Sequence, residues 1–225
     1  LAILILVAPA AERAQWTQVQ SEINTACAAG TTCALTVAST GVGNLIVVSF
    51  MGGSGLSNLS SITGGGTYVI CSNCSATNGG TSFSVDLGWT LSSTAGATTI
   101  NVTIDSLSNS WDIAAYEYSC AGKKELDASG STANQSTSAT PAGQPLTLTG
   151  TGRVIVQNIG GSGAVISAIS APYTDKLDNG IPAVAVAENT ASGTAPTWTF
   201  SASNVTNVGA AAFVCRPNRR RVVSQ

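Results

Sequence analysis

Thr98-Thr-Ile-Asn-Val-Thr-Ile104 alternates polar and apolar side chains with period two. Successive side chains of a strand point to opposite faces, so Ile100, Val102 and Ile104 line an inward face, with Asn101 opposite them. Ser82-Phe-Ser-Val-Asp-Leu87 has the same period, with Phe83, Val85 and Leu87 on one side and Trp89 keeping that parity beyond Gly88. Asn44-Leu-Ile-Val-Val-Ser-Phe50 does not alternate. It is a continuous run rich in β-branched residues, the pattern of a buried strand.

Working outward, Trp111-Asp-Ile-Ala-Ala-Tyr-Glu-Tyr118 is the most aromatic strand candidate. Arg153–Val156, Ala164–Ile169, Ala183–Val186, Thr197–Phe200 and Ala210–Val214 add short apolar runs with Gly, Ser and Asn between them. No stretch carries a helical period. The pattern predicts an all-β sandwich or jelly roll of roughly ten to twelve strands. The spacing divides the chain into residues 1–23, an apolar strand with its connector, and residues 24–225, the sandwich. Ser129–Thr140 is low in complexity and polar, which predicts a long surface loop near 121–144.

Composition narrows the function. Charged residues make up 9% of the 225, against about 25% in an average soluble domain. Such a surface must be solubilised by hydroxyls or sugars, or covered by neighbours. Histidine is absent, which removes Ser-His-Asp and Cys-His nucleophilic systems and imidazole metal ligands. An enzyme is therefore not expected, nor a cofactor. The basic tail Arg216-Pro-Asn-Arg-Arg-Arg221 reads as a solvated end, and no basic-aromatic interleaving points to nucleic acid.

The stretches Cys27…Cys33-Ala-Leu-Thr-Val, Gly43-Asn-Leu-Ile-Val-Val, Ile113-Ala-Ala-Tyr-Glu-Tyr-Ser and Ala211-Ala-Phe-Val together resemble a broad group of β-sandwich modules found in microbial secreted and cell-surface proteins. The resemblance spans most of residues 27–215. Its motifs are packing patterns, so it implies fold and location and carries over no functional residue.

Six cysteines form an even set, Cys27, Cys33, Cys71, Cys74, Cys120 and Cys215. Cys27 and Cys33 can close a small loop. Cys71 and Cys74 can pair across a tight turn or join another strand. Cys120 and Cys215 each follow an apolar strand, and a bridge between them would tie in the C-terminal end. The rival is a thiolate metal site at Cys71-x-x-Cys74, but no second pair has matching spacing, so disulfides and no metal are expected. Disulfides imply an oxidising, extracellular setting. Sequons at Asn58, Asn73, Asn101, Asn134 and Asn204 fit covalent glycans there. Asp86, Asp105, Asp112 and Glu117 are the carboxylates placed to approach across a sheet, although Asp112 and Glu117 differ in parity. Asp175, Asp178 and Asn179 form a turn whose oxygens suit Ca²⁺, with solvated turn residues as the plainer reading. Trp89, Trp111 and Trp198 are either core or a sugar platform.

The remaining feature is Leu1-Ala-Ile-Leu-Ile-Leu-Val-Ala-Pro-Ala10. It is too short to span a membrane, which takes roughly 20 apolar residues. It reads as the end of a leader, as a first strand, or as a strand lent to a neighbour. In the last case Leu1, Ile3, Ile5 and Val7 form one row and Leu4 and Leu6 the other, as in the donor strands of polymerising pilus and thread subunits that this segment resembles. The favoured expectation is a structural subunit that forms a head-to-tail homopolymer by donor-strand complementation at the cell surface. The alternatives are a monomeric carbohydrate-binding or adhesive module and a two-carboxylate glycoside hydrolase.

Overall fold

The computed structural model describes residues 15–52, 57–78, 83–133, 137–161, 166–178, 183–203 and 205–217. Among them there are sixteen strands and no helix. The first half contains β1 (Thr17–Cys27), β2 (Gly30–Thr36), β3 (Leu45–Gly52), β4 (Leu59–Thr63), β5 (Val69–Ile70), β6 (Ala76–Asn78), β7 (Phe83–Thr90), β8 (Thr99–Ser108) and β9 (Trp111–Ser119). The second half contains β10 (Gly122–Thr132), β11 (Arg153–Gly161), β12 (Ile166–Ile169), β13 (Thr174–Asp178), β14 (Ala183–Thr190), β15 (Trp198–Phe200) and β16 (Thr206–Pro217).

These strands stack in four layers. An outer sheet β2-β8-β4 covers an inner sheet β1-β9-β3-β7-β5, with β6 also on β7. A second inner sheet β10-β16-β11-β14-β13 is covered in turn by the small sheet β12-β15. Three main cores fill the gaps. Ile46, Val48, Phe50, Ile113 and Ala115 meet Leu35, Ile62, Ile100 and Val102. Leu45, Val47, Trp89, Tyr116 and Tyr118 meet Val154, Val156, Val186 and Phe213 between the inner sheets. Ile155, Ala185 and Ala210 meet Ile166, Trp198 and Phe200.

The layering explains the two hydrophobic patterns. β8 belongs to an outer sheet, and Ile100, Val102 and Ile104 are buried while Asn101 and Asp105 are exposed. β3, β9, β11 and β16 lie in inner sheets covered on both sides, and nearly every residue is buried. Such strands lose their alternation because neither face meets water.

The two halves share one topology. β1-β9-β3-β7-β5 matches β10-β16-β11-β14-β13 strand for strand, and β8-β4 matches β15-β12. The counterpart of β2 is the segment at 139–142, joined to β15 by the Ala142–Thr197 bridge and by backbone bonds from Trp198 and Phe200. In each half the first, last, third and antepenultimate strands, counting the 139–142 segment as the second of its half, lie side by side in one sheet, the order of a jelly roll. Register places Leu45 with Val154, Val47 with Val156 and Tyr118 with Phe213 as equivalents. The inner sheets stack in reversed order, with β1 near β13 and β16 near β6 and β7. The chain is thus a pair of jelly rolls packed back to back about a pseudo-twofold axis. Gly209 sits at that interface, where a Cβ would overlap the Cys74 carbonyl oxygen.

Three disulfides form, Cys27–Cys33, Cys71–Cys74 and Cys120–Cys215, with Cα separations of 5.5, 5.4 and 6.3 Å. They match the pairings considered from the sequence and suggest an oxidising environment.

The all-β sandwich expectation holds, with sixteen strands among the described residues rather than ten to twelve because β5, β6, β12 and β15 have two to four residues, too few to show a period. Two expected boundaries differ. The boundary between 23 and 24 falls inside β1, which pairs with β9 along its length and is no connector. The expected loop near 121–144 begins with the eleven-residue strand β10, paired to β16 from Gly122 to Thr132. Both are edge strands with partly exposed side chains, so a polar composition suffices.

Candidate functional site

The four carboxylates singled out above do not converge. Phe50 pairs with Asp86 on one side, whereas Met51 pairs with Asp112 on the other. Neighbouring positions face opposite ways, so Asp86 points into the core below the outer sheet and Asp112 toward the second half. Glu117 shares the face of Asp86 but lies at the Ile46 level, four residues or about 13 Å further along β3 and on the other side of that strand. Its oxygens are occupied by Gly41 N–H at 2.8 Å, Asn44 Nδ2 at 2.7 Å and Gln20 Nε2 at 2.5 Å. Asp105 is exposed and accepts from the Asn58 backbone and side-chain amides at 2.8 and 3.0 Å. The four do not converge as a group: strand register separates Asp86, Asp112 and Glu117, while Asp86 and Asp105 do approach each other, accepting from the adjacent backbone N–H groups of Leu59 and Asn58, one buried and the other exposed.

Asp86 and Asp112 are nonetheless unusual. Burial pushes the Asp86 carboxyl up to about 6, although the Leu59 N–H at 2.8 Å opposes this. Burial alone pushes Asp112 up to about 6, and its Oδ1 has no hydrogen-bond partner among the described residues. A raised folded-state pKa means that the native protein holds its proton more tightly than the unfolded chain. The associated stability is full below about pH 4 and is lost as pH rises through 6. Asp112→Asn cannot ionise, so it is expected to raise the melting temperature at pH 7 and to leave it unchanged near pH 3.5. Scanning calorimetry across that range checks this. An equal effect at both pH values would show that ionisation is not what the site penalises.

The tryptophans are core. Trp16, Trp89, Trp111 and Trp198 are all at least 96% buried, so Trp89, Trp111 and Trp198 form no exposed sugar platform. Trp89 stacks edge-on against Phe213, and Trp111 against Phe50. No cluster of three or more His, Cys, Asp or Glu suited to a metal occurs among the described residues. Asp175 and Asp178 lie on β13, while Asn179 lies outside the described residues. The backbone therefore runs as a strand where a Ca²⁺-binding turn was considered. Arg216 pairs with Glu125 at 2.5 Å on the β10 edge, and the other tail arginines lie outside the described residues.

The sequons sort by environment. Asn101 is exposed on β8, opposite Ile100 and Val102. Asn58 is committed to Asp105, and Asn73 is held between the Cys71–Cys74 bridge and Ser129. Asn134, Asn204 and the run Leu1, Ile3, Leu4, Ile5, Leu6 and Val7 lie outside the described residues.

One feature escaped sequence reasoning, the seam between β1 and β2. These are neighbouring free edges of the two sheets of the first jelly roll. Side chains bridge them in place of a backbone ladder. Gln20 Nε2 donates to Ala38 O at 3.1 Å, and Asn24 Nδ2 donates to Ala34 O at 2.9 Å. Beside them runs a groove of about 480 Å³ lined by Glu22, Ile23, Asn24 and residues 34–38. Only the polar alternation of Gln20, Glu22 and Asn24 hinted at it.

The fold defines a disulfide-bonded double jelly roll whose conspicuous acidic and aromatic groups are largely engaged internally. Comparison with known protein families, curated proteins and solved structures returns no match.

Proposed function

We propose that this chain is a structural subunit of an extracellular, cell-surface filament in which copies join by β-strand addition. The observation that supports this best is a contrast. The acidic and tryptophan candidates for chemistry are largely buried or engaged, while the first jelly roll keeps open strand edges and an apolar run precedes its first strand in the sequence. Both jelly rolls already contain their full set of strands, so the added strand would extend an edge rather than replace a missing inner strand. Each fully buried side chain of the Leu or Ile type contributes roughly 1.5–3 kcal/mol, so a few suffice for a long-lived contact. A head-to-tail contact that does not close generates a filament. Covalent glycans, with Asn101 the exposed acceptor, would coat the low-charge surface.

Deleting residues 1–10 tests the reading. The shortened protein is expected to fold with an unchanged melting temperature and to sediment as a monomer where the full chain forms polymers. Filaments of the shortened protein in electron micrographs would refute it.

A further inference from the structure

The internal duplication provides a control for the open seam, because each feature of the first jelly roll has a counterpart in the second. The counterpart of β1 is β10, which carries Lys123, Lys124, Glu125 and Asp127 and is further covered by Arg216. The counterpart of β2 is the segment from 139 onward, which contains Pro141 and Pro145. Charges, lysine above all, and prolines are the devices that keep edges from pairing with other chains. The second seam is also closed by side chains, with Thr132 bonded to Gln144 and Asp127 to Thr149 and Arg153. The first seam has few such guards. β1 holds Glu22 as its one charge, and β2, Gly30-Thr-Thr-Cys-Ala-Leu-Thr36, has neither charge nor proline.

The backbone along that seam is available for pairing. Val37 N–H bonds to Thr98 O of the neighbouring strand segment, so the backbone groups of residues 33, 35 and 37 face β8. Those of Ala34, Thr36 and Ala38 therefore face the groove. Gln20 and Asn24 engage the carbonyls of Ala38 and Ala34, and Thr36 lies between them. Leu35 and Val37 are buried beneath it, at 2% and 6% exposure, and form an apolar floor, while Ile23 packs on the opposite face of β1.

We propose that this β1–β2 seam is the acceptor for residues 1–7 of a second copy of the chain, laid along the free edge of β2 at Thr36. The assignment rests on the filament reading above, which supplies the second copy. The occupant is argued from the chain itself: fourteen residues precede Gln15 outside the described region, and they contain an alternating row, Leu1, Ile3, Ile5 and Val7, matched to an apolar floor. The added strand would take the Thr36 backbone bonds and displace one or both amide bridges.

Thr36→Lys places on β2 the kind of guard that β10 already has. Thr36 is exposed, so the variant is expected to keep its melting temperature while the critical concentration for assembly rises at least about tenfold. In a second experiment Ile5→Cys and Thr36→Cys chains are mixed under mild oxidation, and a disulfide between the two different chains is expected. If Thr36→Lys assembles like the parent while the chain lacking residues 1–10 does not, the acceptor lies elsewhere and the filament reading survives. If both variants assemble normally, both readings fail. A chain carrying both cysteines that links only to itself, at concentrations where the parent polymerises, would assign the groove to its own strand and overturn the proposal.

Discussion

Replacing Cys120 and Cys215 together by alanine is expected to lower stability by about 4–5 kcal/mol. The bridge closes a loop spanning a sequence separation of 95, and the entropy removed from an unfolded chain grows with loop length. Cys27–Cys33 and Cys71–Cys74 span separations of 6 and 3, for which the same relation gives about 2 kcal/mol each. The ranking also has a structural side. Cys215 lies on β16, which pairs with both β10 and β11 and carries Ala211 and Phe213 into the core between the halves. Cys120 sits at the junction of β9 and β10, where the chain passes from one jelly roll to the other. The bridge therefore staples the last strand to the point at which its own sheet begins. Denaturant midpoints of the three double-alanine variants check the order. A Cys120/Cys215 variant no weaker than the other two would show that the unfolded chain is already held compact over that span.

The ease with which the sequence can be read depends on which layer a strand occupies. Thr98–Ile104 is legible because its sheet has a wet face, so alternation records burial directly. Leu45–Phe50 is legible as buried but says nothing of how many layers cover it, since a run wet on neither face has no period to read. The duplication is hidden for a related reason. Equivalent sites keep burial but not identity: Trp89 corresponds to Val186, and Glu117 to Ala212. The edge strands β1 and β10 were hidden because polar residues are acceptable where one edge and much of a face meet solvent. Among the acidic residues, parity alone separates Asp112 from Glu117. Separating Asp86 from Asp112 requires the register of β7 and β9 on β3, which no single strand encodes.

The second large effect is expected at the buried ion pair of the second half. Arg153 Nε lies 2.6 Å from Asp127 Oδ2, with side chains 4% and 2% exposed. Thr149 adds its N–H at 3.1 Å and its hydroxyl to the same carboxylate, and Arg153 Nη1 reaches Thr151 O. By register Arg153 is the equivalent of Asn44, which in the first half donates to the buried Glu117. Each jelly roll thus anchors the start of its third long strand through a buried carboxylate, held by amides in one and by a guanidinium in the other. Asp127→Ala strands the Arg153 charge and is expected to cost about 3–5 kcal/mol, the usual penalty for removing one partner of a buried pair. Asp127→Leu combined with Arg153→Met removes both charges and should recover most of that loss, because the desolvation of both ions disappears with them. Burial alone would raise the Asp127 pKa, but Arg153 and Thr149 outweigh it and hold the carboxyl below its ordinary value. That stability is therefore present above the ordinary carboxylate range and is lost as pH falls through the lowered value, the opposite sense to Asp86 and Asp112. In urea titrations at pH 7 and pH 3, the penalty of Asp127→Ala relative to the parent should shrink at the lower pH, because the parent alone loses the Asp127 contribution as that carboxylate is protonated. A double variant as unstable as Asp127→Ala would mean that the lost shape and hydrogen bonds, rather than the unpaired charge, set the cost.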